Sequence, residues 1–333
     1  MPCSAADPGD RAAPAPGRLG ACLSRVSGAG GAIAILLGAA AWGSTGTAAH
    51  FAPAGASAAS IGAARIVLGG AILLALAAGR EHRAAATAML AAAAAGGSAR
   101  VSLALAVIAV GGYQLCFFGA VRLTGVAVGT VLAIGSAPVF TGMISRLTGG
   151  PALTIRWLIA TVAAVAGCGV LVTGGKAAGV QLGGVGLALL AGLCYAAYAV
   201  TAARLISGGI SETTVMGALF GGAAILLAPV LAATSPGWLL SGRGLAVTAY
   251  LGLVTTVAAY LLYGRGLRTV PASVAVTLGL AEPVVAALLG VVVLGERLTG
   301  PEVAGLVLVG LAIAILTLGR QPAVARMSNP PPG

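Results

Sequence analysis

The sequence predicts an all-α membrane protein of ten transmembrane helices, arranged as two inverted five-helix repeats. Three observations carry that expectation. Of 333 residues, 59% are hydrophobic and 8% charged, with a mean hydropathy of +1.06. A water-facing domain needs about 25% charged residues to cover its surface, whereas a bilayer accepts an apolar exterior. Ten apolar segments of spanning length follow one another, and the two halves of the chain resemble each other at nearly constant offset.

A spanning helix needs about 20 mainly apolar residues. The segments are 29–49, 57–78, 101–121, 125–145, 153–173, 183–203, 213–233, 243–264, 271–293 and 301–319. Short breaks with turn chemistry or charge separate them, such as Gly149-Gly150-Pro151 and Ser235-Pro236-Gly237. Lipid offers no partner to open backbone groups, so continuous helices are the economical solution. The Ala-rich piece 84–95 is too weakly apolar to span and reads as loop or surface helix. Residues 1–28 and 320–333 read as disordered tails rich in Pro, Ala and Gly, with no signal-peptide core.

Cation placement predicts the orientation. With the N-terminus in the cytoplasm, thirteen Lys and Arg fall inside and four outside, leaving Arg65 within a span. That bias fits an even number of spans with both termini cytoplasmic. The net charge of +11 is scattered singly through loops, so it does not mark a nucleic-acid surface.

The internal repeat sets the organisation. Ala71-Ile72-Leu73-Leu74 matches Ala224-Ile225-Leu226-Leu227 at an offset of 153, which also sets Trp42 against Tyr195. Gly119, Thr124, Ala127, Pro138 and Leu153-Thr154 match Gly264, Thr269, Ala272, Pro283 and Leu298-Thr299 at an offset of 145. Units of five spans, 29–174 and 183–319, start from opposite membrane faces and are therefore inverted. Inverted repeats around a midplane site are the architecture of alternating access.

Gly279-Leu-Ala-Glu-Pro-Val-Val-Ala-Ala-Leu-Leu-Gly290, followed by Leu294-Gly-Glu-Arg-Leu-Thr-Gly300, together with Trp42-Gly43 and Arg65, resembles the EamA family of the drug/metabolite transporter superfamily. The resemblance covers nearly all of 29–319 as two tandem units. It implies a ten-helix inner-membrane carrier, commonly an exporter of amino acids or other metabolites. The first unit departs from the pattern: Ala137 stands opposite Glu282, and Pro151 opposite Glu296.

Glu282 is the sharpest candidate residue. An ionised acid deep in a span costs roughly 2.5–3.5 kcal/mol on insertion scales. It therefore reads either as a proton-binding carboxylate or as a hydrogen-bonder to backbone freed near Pro283. Arg65 could hold a substrate carboxylate, or snorkel and bond carbonyls at a helix end. Pro138 and Pro283 are equivalent positions that should kink their helices, either for a cavity or for packing. Trp42, Thr45, Tyr113, Gln114, Tyr195, Tyr198, Thr256, Tyr260 and Thr277 offer polar handles inside spans, for a solute or for neighbouring helices. Gly-x-x-x-Gly spacings such as Gly217–Gly221 are expected by chance in a chain with 53 glycines.

The reading is a secondary active transporter of a small metabolite, with proton-coupled efflux as its mode and protons and the bilayer as partners. A lipid-carrier flippase or uptake permease of the same fold, and a channel, stand as alternatives. An intramembrane enzyme is disfavoured. Asp7 and Asp10 lie in the tail, His50 and His82 lack metal spacing, and no catalytic, metal or cofactor motif is present.

Overall fold

The computed structural model describes residues 18–79, 98–173, 181–295 and 297–318. The segment 84–95, Glu296 and the C-terminal tail lie outside them. Ten helical spans follow: α1 (Arg18–His50), α2 (Ala58–Ala77), α3 (Arg100–Gly125), α4 (Val128–Leu147) and α5 (Ile155–Thr173) form the first half. The second half is α6 (Leu182–Ser207), α7 (Glu212–Ala233), α8 (Gly242–Leu267), α9 (Ala272–Leu294) and α10 (Gly300–Leu318). Nine of these are long and apolar enough to cross a bilayer, and α5 is a shorter apolar helix. No described residue is in a β-strand.

Differences from expectation are local. Helix α1 starts at Arg18, ahead of the expected 29, because 18–28 contains no proline and propagates the helix backwards. Helices α3 and α4 are joined without a loop, the chain turning at Gly125 alone, whose φ of 81° only glycine adopts freely.

Packing registers establish the inversion. A Cβ on Gly70 of α2 would lie 2.2 Å from the Phe220 carbonyl oxygen on α7, and one on Gly217 would lie 2.6 Å from the Leu73 carbonyl oxygen. Residue numbers thus rise along α2 as they fall along α7, so these repeat partners are antiparallel. The Gly217–Gly221 spacing, expected by chance, lies in this crossing: Gly221 faces Leu74. Helices α5 and α10 cross the same way, with Gly167 on the Gly305 carbonyl and Gly305 on Leu171. Remaining contacts exchange under the same pseudo-two-fold: α1 packs on α8 and α9, while α6 packs on α3 and α4. Large apolar side chains such as Leu105, Val162 and Ile225 remain exposed on the outside, where acyl chains solvate them.

The loop after α7 folds back over the bundle. Ser235 takes a left-handed φ of 53°, and a short turn at Pro236–Leu240 carries Trp238 onto the start of α2. Its Nε1 donates to the buried Ser60 Oγ at 2.8 Å, among Ile61, Ala64, Val247 and Leu251. Trp238→Phe keeps the apolar plug and orphans the Ser60 hydroxyl. A loss of about 0.6 kcal/mol, and no more than about 1.7, is expected in a detergent unfolding titration. A neutral result would show that the bond contributes nothing net.

Candidate functional site

Aromatic rings from five helices meet in the centre. Phe117 stacks on Tyr113 of α3 at 5.7 Å, and Tyr113 meets Tyr195 of α6 at 6.0 Å. Tyr195 and Tyr198, one turn apart, are stacked at 5.2 Å; Tyr198 then meets Phe220 of α7 at 6.0 Å. Phe220 lies 3.9 Å from Tyr260 of α8, which contacts Trp42 of α1 at 4.9 Å, and Trp42 also meets Tyr263 at 5.4 Å. Five of the candidates, Trp42, Tyr113, Tyr195, Tyr198 and Tyr260, therefore belong to one continuous cluster. Both halves of the repeat contribute to it.

Glu282 lies where α9 is interrupted, within electrostatic range of the tyrosines of this cluster. The helix ends at Gly279, Leu280 turns with ψ −2°, and a second helix starts at Ala281. Pro283 lacks the N–H that would continue the first segment, so the break falls just before it. Glu282 thus occupies the first turn of a half-helix, where the dipole favours a negative charge. Gly43 admits the close approach of α1: a Cβ there would lie 2.6 Å from the Glu282 carbonyl oxygen. Glu282 is half-buried between the buried Ala281 and Pro283, and lies within electrostatic range of Arg65, Tyr113, Tyr195 and Tyr260. Arg65 also lies within electrostatic range of Tyr113 and Tyr260 and forms no direct ion pair with Glu282.

Other candidates separate by their hydrogen bonds. Trp42 Nε1 and Thr45 Oγ1 are buried and have no protein partner. Gln114 is 4% exposed, on the α3 face that carries Phe118 against Gly62 of α2. Thr277, by contrast, is committed: its hydroxyl meets Thr161 at 3.1 Å and the Ser273 carbonyl at 2.9 Å. With Trp157 Nε1 donating to the Ser273 carbonyl at 3.1 Å, it fixes the first half of α9 to α5. Thr256 is likewise occupied, donating to the Leu251 carbonyl at 3.0 Å. That bond spans five residues because Leu253–Ala258 forms a π turn, packed on Gly69. Helix α4 runs through Pro138 without a break, and the equivalent of Glu282, Ala137, is fully buried.

Sequence reasoning missed three contributors. Phe117 and Phe220 carry no polar handle and were not distinguishable from core. Tyr263 shares a helix face with Tyr260 at i, i+3, a spacing that could have revealed it. The π turn, of a kind frequent at functional sites, has no local sequence signal here. A cavity of about 160 Å³ between Thr154, Trp157, Pro271 and Leu316 lies at the helix ends, away from the ring cluster.

An inverted pair of five-helix bundles enclosing a charged, aromatic-lined centre defines a multi-span membrane carrier of small solutes. The EamA-like transporter family matches residues 29–173 and 182–318, and the chain belongs to that family, within the drug/metabolite transporter superfamily. It is 38% identical over 284 residues to the uncharacterized transporter YwfM of Bacillus subtilis (strain 168), covering 85% of this chain and 92% of that protein. The threonine/homoserine exporter RhtA of Salmonella typhimurium is 26% identical over 234 residues, covering 68% and 75%. The uncharacterized inner membrane transporter YedA of Escherichia coli (strain K12) is 27% identical over 189 residues, covering 57% and 61%. A crystal structure of another protein superposes with a TM-score of 0.70, at 20% identity, covering 89% of this chain and 97% of its own. That likeness is one of fold.

Proposed function

We propose that this transporter exports a small amino-acid-like metabolite across the inner membrane in exchange for protons, with both termini in the cytoplasm. One observation carries the reading: a membrane-embedded carboxylate, Glu282, lies at the interruption of α9 within electrostatic range of the central tyrosines and makes no direct ion pair. Such a group persists in a span when protonation, a partner or water compensates it, and alternation between these states couples proton to cargo. Trp42 Nε1 and Thr45 Oγ1 supply unused hydrogen-bonding capacity for the cargo on the adjoining helix. The exporter name of RhtA and the cation bias of the loops agree with this direction and orientation.

The test is flux of radiolabelled threonine, homoserine and a panel of further metabolites in proteoliposomes under an imposed pH gradient. Accumulation should follow the gradient and collapse with a protonophore. Flux that equilibrates at the same rate and extent with or without the gradient would sink proton coupling.

A further inference from the structure

The cavity of about 160 Å³ sits where α5 and α9 begin and α10 ends, apart from the aromatic centre. Its lining passes from the buried Trp157, Val274 and Leu316 to the half-buried Arg156 and the exposed Thr154. Arg156 Nε donates to the Ile315 carbonyl at 2.6 Å, which holds the guanidinium at the C-terminal end of α10. Thr154 Oγ1 accepts from the Trp157 N–H at 3.1 Å and keeps its own O–H to donate. Beside the cavity, Ile155 and Leu318 are 71% and 87% exposed, so the lipid-facing apolar surface adjoins it.

Two further features belong to this end of the bundle. The apolar stretch of α5, Ile155–Leu171, rises about 25 Å at about 1.5 Å per residue, against about 30 Å of hydrocarbon. A short span is accommodated by local thinning of the bilayer, which draws the headgroups inward, towards Arg156. Successive spans alternate in direction, so Arg146, Arg204, Arg265 and Arg268 lie on the same face as Arg156. Among the described residues the acid on that face is Glu212, which pairs with Arg265 and Arg268. In the orientation proposed above the face is cytoplasmic, where basic pockets between spans take anionic headgroups.

We propose that this cavity binds an acidic phospholipid, its phosphodiester on Arg156 and Thr154, its glycerol against Trp157 and Leu316, and its acyl chains outside along α5 and α10. A soluble anion would use the arginine and leave the apolar wall and the flanking surface unused. A zwitterionic phospholipid would bring an ammonium to a face rich in arginine, where it is repelled. An acidic one matches both the charge and the apolar surface. The seat touches α5, α9 and α10 at once, and the Trp157–Ser273 bond connects it to the first segment of α9, which the lipid therefore braces. The assignment is independent of what the centre carries.

The measurement is native mass spectrometry of the purified full-length protein, titrated in detergent with phosphatidylglycerol or phosphatidylcholine of identical chains. The first phosphatidylglycerol should bind at least about tenfold more tightly than the first phosphatidylcholine. Ala152→Trp fills the cavity from its exposed rim without altering charge and should abolish that preference. Arg156→Gln should do the same. Arg204→Gln removes a charge from the same face, where it holds the Thr148 carbonyl outside the cavity lining, and should keep the preference. Equal binding of the two lipids, or a preference that survives Ala152→Trp, overturns the assignment even if Arg156→Gln fails to fold. Loss of the preference in Arg204→Gln would mark a diffuse basic surface and overturn it as well. Displacement of the lipid by glycerol 3-phosphate would make the cavity a seat for a soluble anion. A preference seen only after removal of residues 320–333 would give the cavity to that C-terminal segment. Either result ends the lipid assignment.

Discussion

Gly70→Val is expected to prevent recovery of folded protein. A Cβ at position 70 would stand 2.2 Å from the Phe220 carbonyl oxygen, 2.8 Å from its carbonyl carbon and 2.9 Å from the Ala224 Cβ. Two of those three atoms are helix backbone, which cannot rotate aside as a side-chain tip can. Helix α2 would have to retreat from α7 along their crossing, and the centre of the bundle depends on that crossing, since Phe220 itself packs against Tyr260 at 3.9 Å. Overpacking of a dense core costs typically 1–3 kcal/mol, and a backbone-to-backbone obstruction belongs at about 3 kcal/mol or more. A monodisperse peak in detergent size-exclusion should therefore disappear. Gly30→Ala is the control, because an added Cβ there meets nothing within 4 Å. A Gly70→Val protein that purifies and melts like the parent would show that α2 and α7 do not cross as described.

Glu282→Gln should separate cargo movement from the proton gradient. The amide preserves size and hydrogen bonding but cannot exchange a proton, so exchange of labelled for unlabelled substrate should continue while uphill accumulation vanishes. Glu282→Ala should be worse in both assays, since it also strips the first turn of the half-helix Ala281–Leu294 of its favourable charge. The first-half equivalent, Ala137, is fully buried, so Ala137→Glu should not restore coupling from the other repeat. Undiminished uphill accumulation by Glu282→Gln would remove this carboxylate from the proton path.

Much of the centre was legible because a bilayer makes polar groups conspicuous. Trp42, Tyr113, Tyr195, Tyr198 and Tyr260 stood out as polar aromatics within apolar spans, and the structure gathers all five into one cluster. Thr256 and Thr277 stood out for the same reason, yet their hydroxyls serve the helix backbone and the α5–α9 contact. A threonine in a span can be satisfied either way, and nothing in its immediate sequence distinguishes the two. Phe117 and Phe220 were invisible for the converse reason: an apolar ring in an apolar segment is conspicuous only once its neighbours are known.

The sequence by itself determined the class, the number of spans and the duplication. These follow from composition, segment length and offset, and a solvent without hydrogen-bonding partners leaves helices as the outcome. It also singled out Glu282, Arg65 and Pro283 as unusual within their spans. Only the tertiary structure decided that Pro283 breaks its helix while Pro138 does not, although the two are equivalent in the repeat. Only it decided that Arg65 and Glu282 address one centre without pairing. Span formation is decided locally by the bilayer, whereas the placing of the two charges depends on where glycines such as Gly43, Gly62 and Gly69 allow neighbouring helices to approach.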